Sequence, residues 1–238
     1  VPSRPAPLAR MSFAPEEVAT VTPALHDFCQ SWITRENLRP SVGFEPIHSD
    51  RAMIRFPGGE GGVEWAGGAF DPKLGYYIVN TNNLAYVEKL IQDADGRWSF
   101  SSAHFWDKDH NPCQQPPWGQ LTAVNVNTGD IAWQIPLGIT ESLPEGKRET
   151  GRPNNGGASL TATGIAFIGG TDDSWFRAFD SHTGKLLWST KLDHAATASP
   201  SIYQTKTGRE FVVVTATGGT PLGAPGGGDS LVAFALPR

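Results

Sequence analysis

Two patterns of apolar residues divide this chain. Leu25, Phe28, Cys29, Trp32 and Ile33 recur every three or four positions and make one hydrophobic face of a helix. Thr22 stands as its N-cap and Pro23 at the first helical position, where a missing N–H does no harm. The helix is expected to end before Pro40 and to pack across the rim of the β structure that follows. Residues 1–14 are proline-bearing and aperiodic, which predicts an extended lead-in. From Arg51 the β pattern begins. Residues 52–56 read as a short strand, and 64–70 and 76–81 as two strands joined by the turn Asp71-Pro-Lys-Leu-Gly75. A polar, aromatic-spotted, proline-flanked stretch at 88–117 then interrupts, and residues 119–126 and 130–137 resume as the outer two strands of the same blade. After a charged loop at 138–153, four strands follow at 157–161, 164–170, 175–179 and 185–192. Three more follow at 197–203, 210–217 and 230–236.

One frame recurs within this pattern. Ala178-Phe-Asp-Ser-His-Thr-Gly-Lys-Leu-Leu-Trp188 repeats the offsets of Ala123-Val-Asn-Val-Asn-Thr-Gly-Asp-Ile-Ala-Trp133. In both, Ala, a turn-forming Asp or Asn, Gly and Trp keep their places, with Gly supplying the positive φ that a tight turn needs. Self-similarity of this kind points to stacked or radial β units. The expected organisation is an extended segment and helix over 1–50, then blades over 51–238 with an insertion at 88–117. Two four-stranded units and one of three are too few for a closed propeller. Bare sheet edges invite pairing. The expectation is therefore an all-β, partial propeller whose remainder is another chain or an N-terminal region.

Composition narrows the function classes. The formal net charge of −5 leaves no basic footprint, which argues against nucleic acid as a partner. No apolar run approaches the roughly 20 residues of a membrane helix, and no signal peptide begins the chain, which suits a mature or truncated form. Eight tryptophans and 27 glycines suit a turn-rich fold that docks one Trp per blade. The two cysteines, Cys29 and Cys113, admit two readings, a pair of buried thiols or a bridge from the helix to the insertion.

The Ala-x-Asp-x-x-x-Gly-x-x-x-Trp frame resembles the tryptophan-docking motif of the quinoprotein dehydrogenases, eight-bladed propellers that use pyrroloquinoline quinone (PQQ). Three further segments resemble the membrane-bound glucose/quinate/shikimate branch: Phe56-Pro-Gly-Gly-Glu-Gly-Gly-Val-Glu-Trp65, Pro112-Cys-Gln-Gln-Pro-Pro-Trp-Gly119 and Gly169-Gly-Thr-Asp-Asp-Ser-Trp-Phe-Arg-Ala-Phe-Asp180. The resemblance runs from about Met11 to the last residue and matches only the C-terminal part of that family. It implies an enzyme that oxidises an alcohol, polyol or sugar-like substrate and passes electrons to a quinone or a cytochrome. An Asp base, a Lys and a Ca²⁺ or Mg²⁺ ion serve the quinone there; the segments carrying them lie upstream of the matched part, so no catalytic residue and no metal ligand is assigned to this chain. The family is periplasmic, which favours the Cys29–Cys113 disulfide and puts any membrane anchor outside the chain.

The same resemblance marks residues for the wall of a quinone pocket. Asp173 occupies the position of an acidic residue near PQQ in the glucose enzymes; its other reading is a β-turn aspartate, although Asp172 is the better turn candidate. Glu64 and Trp65 open an inner strand where alcohol enzymes carry Asn-Trp. A buried Glu needs a partner, and cofactor contact is one way to supply it. Asn155 stands where alcohol enzymes place a Trp on PQQ, and Gly156 and Gly157 would let backbone approach the ligand. Asn-Gly is also an ordinary turn signal. Gly59 and Thr220 depart from the glucose enzymes, which have Asn and His there. The loss at Thr220, in the substrate-side loop 218–228, argues against glucose. His104, Asp107, His110 and Cys113 fit no helical metal spacing and read as solvated loop residues. The competing readings are a propeller scaffold without quinone, similar to outer-membrane assembly propellers, and a fragment inactive alone.

Overall fold

The computed structural model describes residues 3–220, 222 and 224–236. It divides into two compact units, one comprising Val1–Leu8, Val63–Thr81 and Gly119–Arg238, the other Ala9–Gly62 and Asn82–Trp118. In chain order, α1 (Pro23–Arg35) precedes the short strands β1 (Arg39–Pro40) and β2 (Met53–Arg55). Then come β3 (Ala69–Asp71), β4 (Tyr76–Asn82), β5 (Tyr86–Gln92), β6 (Trp98–His104), β7 (Gly119–Asn125) and β8 (Asp130–Pro136). The chain continues through β9 (Ser159–Leu160), β10 (Ile165–Ile168), β11 (Trp175–Asp180) and β12 (Leu186–Lys191). It closes with β13 (Ser201–Gln204), β14 (Glu210–Ala216) and β15 (Ser230–Phe234).

The larger unit holds three sheets, ordered β3-β4-β7-β8, β12-β11-β10-β9 and β13-β14-β15. The middle sheet is apolar on both faces, and each face has a neighbour. Ala166, Ile168 and Phe179 pack with Ile78, Leu121 and Ala123 of the first sheet. Phe176 and the half-buried Phe167 face the other way, onto Val212, Val214 and Phe234 of the third. Successive sheets joined face to face in this way make a partial β-propeller, as the strand count predicts.

The repeated frame has a shared geometry. Ala123 of β7 pairs with Trp133 of β8, and Ala178 of β11 pairs with Trp188 of β12, with a register slip directly after the alanine in both. The Trp133 indole N–H donates to the Ser181 carbonyl at 2.9 Å, so β8 of one sheet reaches the turn of the next. Gly184 receives the ring. Its φ is +71°, and a Cβ there would stand 2.7 Å from the indole. Glycine is therefore required twice at one position, for the turn and for the docked ring.

The smaller unit holds structure that the polarity pattern did not mark. Residues 86–104, mostly within the stretch read as an insertion, form a seven-by-seven-residue antiparallel hairpin of β5 and β6 in a sheet ordered β1-β2-β5-β6. Its signal is weak because Trp98 and Phe100 are exposed, so no clean in–out alternation marks the strand. The helix begins as expected, Thr22 Oγ1 accepting the Leu25 N–H at 3.2 Å. Its apolar face is consumed within this unit, where Leu25 and Cys29 join Ile54, Phe56, Phe105 and Trp118. Phe28 turns outward and meets Trp32 edge-on.

Cys29 and Cys113 form a disulfide across 84 residues of sequence. It ties α1 to the segment after β6 inside a dry core. Closing a loop of that length restricts the unfolded chain by about 4–5 kcal/mol in the entropic account. Cys29→Ser is expected to lower unfolding stability by about that amount in a urea titration, and dithiothreitol on the native protein should give the same midpoint. A variant unfolding at the wild-type midpoint would show that the bond contributes nothing.

Candidate functional site

The candidate residues of the larger unit come together because two irregular segments run side by side. Asn155 N–H donates to Gly170 O at 2.9 Å, Asp172 N–H to Pro153 O at 3.1 Å, and Asn154 bridges Thr171. Beneath them Asn154 is fully buried and reaches Asn80 Nδ2 at 2.6 Å and the Thr81 carbonyl at 3.2 Å. Val63 also bridges Thr81, which brings Glu64 to the same place. The result is a polar floor with Glu64, Asn155 and Gly156 above it.

Glu64 and Asn155 meet. Asn155 Nδ2 lies 3.5 Å from Glu64 Oε2, at the long limit of a hydrogen bond, and the Glu64 side chain is buried. Glu64 does not open a strand. Gly67, at φ +73°, donates its N–H to Glu64 O and turns the chain, so the strand begins only at Ala69. That turn leaves Trp65 88% exposed. Gly156 and Gly157 are packed against protein backbone. A Cβ at Gly156 would stand 3.0 Å from Ala198 O, and one at Gly157 2.8 Å from Gly67 O. Close chain packing is therefore one sufficient reason for both glycines.

Asp173 is engaged on both oxygens. Oδ1 accepts from Thr171 Oγ1 and, at 3.0 Å, from Trp175 N–H, and Oδ2 accepts from Ile139 N–H at 2.8 Å. Arg177 forms an ion pair with it, with 7% of the arginine and 4% of the aspartate side chain exposed. Burial alone would raise this carboxyl; the Arg177 charge and the donated hydrogen bonds outweigh it and hold the pKa below the ordinary range. The turn bond to Trp175 N–H belongs to Asp173. Asp172, read as the turn residue, instead pairs in a two-pronged contact with Arg152 Nε and Nη2 at 2.8 and 2.6 Å.

Thr220 Oγ1 accepts the Leu222 N–H at 3.2 Å, within a loop that folds on itself through Gly219 N–H and Ala224 O. Pro221 and Gly223 of that loop lie outside the described residues. His194 sits under it, its ring 2.7 Å from where a Cβ of Gly228 would be, and its Nδ1 is shielded with no partner among the described residues. Nothing in the local sequence marks His194, because the contact is made across 34 residues of chain. In the smaller unit, His104 ends β6 rather than lying in a loop, Asp107 Oδ1 caps a turn by accepting the Asp109 and Asn111 N–H groups, and Cys113 is oxidised.

The arrangement offers an amide beside a buried carboxylate, groups that can hydrogen-bond a ligand. Residues 1–212 match the family model described as PQQ: glucose/ethanol/alcohol dehydrogenase, beta-propeller domain. The chain belongs to this family. It is 32% identical to the glycerol dehydrogenase large subunit of Gluconobacter thailandicus, over 88% of this chain and 33% of that protein. It is 33% identical to the quinate/shikimate dehydrogenase (quinone) of Acinetobacter baylyi, over 78% of this chain and 26% of that one. In fold it is similar to the quinohemoprotein alcohol dehydrogenase of Comamonas testosteroni, with a TM-score of 0.58 and 19% identity over 83% of this chain and 32% of that one. The chain thus spans about a third of the length of these curated relatives. Its relatives are oxidoreductases.

Asp173→Asn would leave the Arg177 charge buried and half-paired. Removal of one partner of such a pair is expected to cost about 3–5 kcal/mol in thermal or denaturant unfolding. Because the folded pKa is depressed, this contribution is complete above the unfolded aspartate value near 3.9 and is lost as pH falls through the lower folded value. The wild type should therefore lose its advantage over the variant below about pH 4; an advantage unchanged down to pH 2 would contradict the pairing.

Proposed function

We propose that this chain is the C-terminal part of a PQQ-dependent dehydrogenase that oxidises an alcohol or polyol and delivers electrons to a quinone or cytochrome. Membership of the family carries this reading, together with the segment that joins Glu64, Trp65, Asn155 and Gly156 in one polar patch. Trp65 would stack on the quinone and Asn155 would bond its polar rim, with Asp173 behind them as the anchor of the wall and Thr220 on the substrate side. When bound, the quinone supplies the two-electron acceptor, with Ca²⁺ or Mg²⁺ polarising it. This chain orients the ring and excludes water; the proton-accepting base and the metal ligands belong to the part of the propeller not contained in it.

The free flank of the third sheet supports a partner. Among the described residues β15 pairs only with β14. An apolar cavity of about 1030 Å³ opens between β10–β12 and β14–β15, lined by Phe167, Leu187, Trp188, Val212 and Phe234. In the two complete sheets that place is held by the fourth strand and its docked neighbours. We infer that the remaining blades, as another chain or an N-terminal region, complete this sheet. The disulfide suits an oxidising compartment such as the periplasm. The relatives act by name on glycerol, quinate or shikimate, and glucose, and Thr220 in place of the glucose enzymes' His is what weighs against glucose.

The test is reconstitution with PQQ and Ca²⁺ or Mg²⁺, with and without the complementary N-terminal part. Dye-linked dehydrogenase activity is expected only when both parts are present. Trp65→Ala should weaken PQQ binding by about three- to tenfold, followed by fluorescence quenching. Activity from the 238-residue chain alone would relocate the base to this chain, and a complete protein that neither binds PQQ nor turns over would favour a scaffold.

A further inference from the structure

The loop Pro57-Gly-Gly-Glu-Gly-Gly62 carries four glycines and a single polar side chain, Glu60. It lies on the ring of Tyr86. A Cβ on Gly58 would stand 2.6 Å from that ring and 2.5 Å from Leu84 O, so this glycine permits the seat. The Gly58 N–H donates to Leu84 O and the Gly61 N–H returns to Gly58 O, both at 3.0 Å. No other side chain of the loop can tether it, and Gly61 at φ +79° adds backbone freedom.

Glu60 is received by two residues on neighbouring strands. The Tyr86 hydroxyl of β5 donates to Glu60 Oε1. His104 Nε2, at the end of β6, lies 2.6 Å from the Tyr86 oxygen and 3.3 Å from the same carboxylate oxygen. The proton inventory fixes the order. Tyr86 has one proton to give and gives it to Glu60, so His104 must donate its Nε2–H to Tyr86. The His104 ring is itself held flat on Trp106, at 3.8 Å and 6°. Glu60 Oε2 is shielded from solvent and has no partner among the described residues. Hydrogen bonds to backbone carbonyls hold the two ends of the loop, Gly58 N–H on Leu84 O, Asn82 N–H on Gly62 O at 2.7 Å and Arg55 Nη1 on Pro57 O at 3.2 Å. Its middle is held through one Glu60 oxygen, and the other oxygen is uncompensated.

We propose that Glu60 is a latch, gripped by Tyr86 and His104, that holds the Pro57–Gly62 loop shut and releases it on protonation. The charged groups nearest by are Arg55 and Glu88, paired with each other in a two-pronged contact, with Glu88 also accepting the Ser102 hydroxyl. Their mutual pairing leaves Tyr86 and His104 as the groups that meet Glu60. Burial raises the Glu60 carboxyl, but the bonds from His104 and Tyr86 exceed that effect and its pKa is lowered. A depressed carboxyl stabilises above its unfolded value and fails as pH falls through the folded one, so the latch is closed at neutral pH and opens in acid. Tyr86 stays a phenol throughout, raised first by burial and then by Glu60.

Hydrogen exchange read by mass spectrometry on the whole chain tests this without any cofactor. At pH 7 the amides of residues 58–62 should exchange about tenfold faster in Glu60→Ala, with α1 and β14 unchanged. Tyr86→Phe, which keeps the ring under Gly58, should give a smaller increase at the same amides. After correction for intrinsic rates, the wild-type loop should lose protection below about pH 4, whereas Glu60→Gln should show the same protection at pH 7 and pH 3. Equal loop protection in wild type and Glu60→Ala, or a wild-type loop as insensitive to acid as Glu60→Gln, would overturn the latch. If Glu60→Ala also loosens α1, the comparison of Tyr86→Phe and Glu60→Gln with wild type decides alone.

Discussion

A sheet that is apolar on both faces cannot end at one neighbour, and the middle sheet of the larger unit is built that way. Ala166, Ile168 and Phe179 are spent on one side, and Phe167 and Phe176 on the other. Burial at roughly 25 cal/mol per Å² of apolar surface rewards each added sheet, so the architecture propagates until something covers the last face. The cavity beside Phe234 and the single-partnered β15 mark where that propagation is unfinished in the described residues. The polar patch depends on the same stacking, because Gly156 and Gly157 touch backbone from two different sheets' connecting segments.

The smaller unit solves a different problem. It has a parallel two-residue pairing, a hairpin with one open face and a single helix, too little to hold itself by sheet stacking. An aromatic cluster of Phe13, Phe56, Phe105 and Trp32 fills its centre, and the disulfide closes it. Local hydrogen-bond devices complete it: Gln115 reaches Val18 O and Thr20, and the Trp118 indole N–H reaches Gln114 O.

Where a β-branched or apolar run was bounded by turn residues the strands were legible. β4, β7, β8, β11 and β14 fall within a residue or so of the pattern in the sequence. The repeated Ala-to-Trp frame also carried the sheet order, since its turn glycine and tryptophan serve both local and inter-sheet contacts. The hairpin of β5 and β6 was hidden by exposed Trp98 and Phe100, and the turn at Glu64 by glycines whose positive φ no pattern of polarity reveals. The contact between Glu64 and Asn155, at 3.5 Å, was not legible, because each was singled out separately by family resemblance. The pairings of Asp172 with Arg152 and Asp173 with Arg177 were not legible, because adjacent aspartates differ only in which way each side chain points.

The indole of Trp133 spans two sheets, fixed at one end by its own strand and at the other by the Ser181 carbonyl and the bare α-carbon of Gly184. An indole so placed is an intrinsic optical gauge. Its emission depends on how dry the seam is and on whether its N–H remains bonded, so separation of those two sheets shifts its colour without any label. Trp118 sits fully buried in the other unit, with its N–H on Gln114. With the other six tryptophans replaced, the two indoles would report separately, one on sheet stacking and one on the disulfide-closed core.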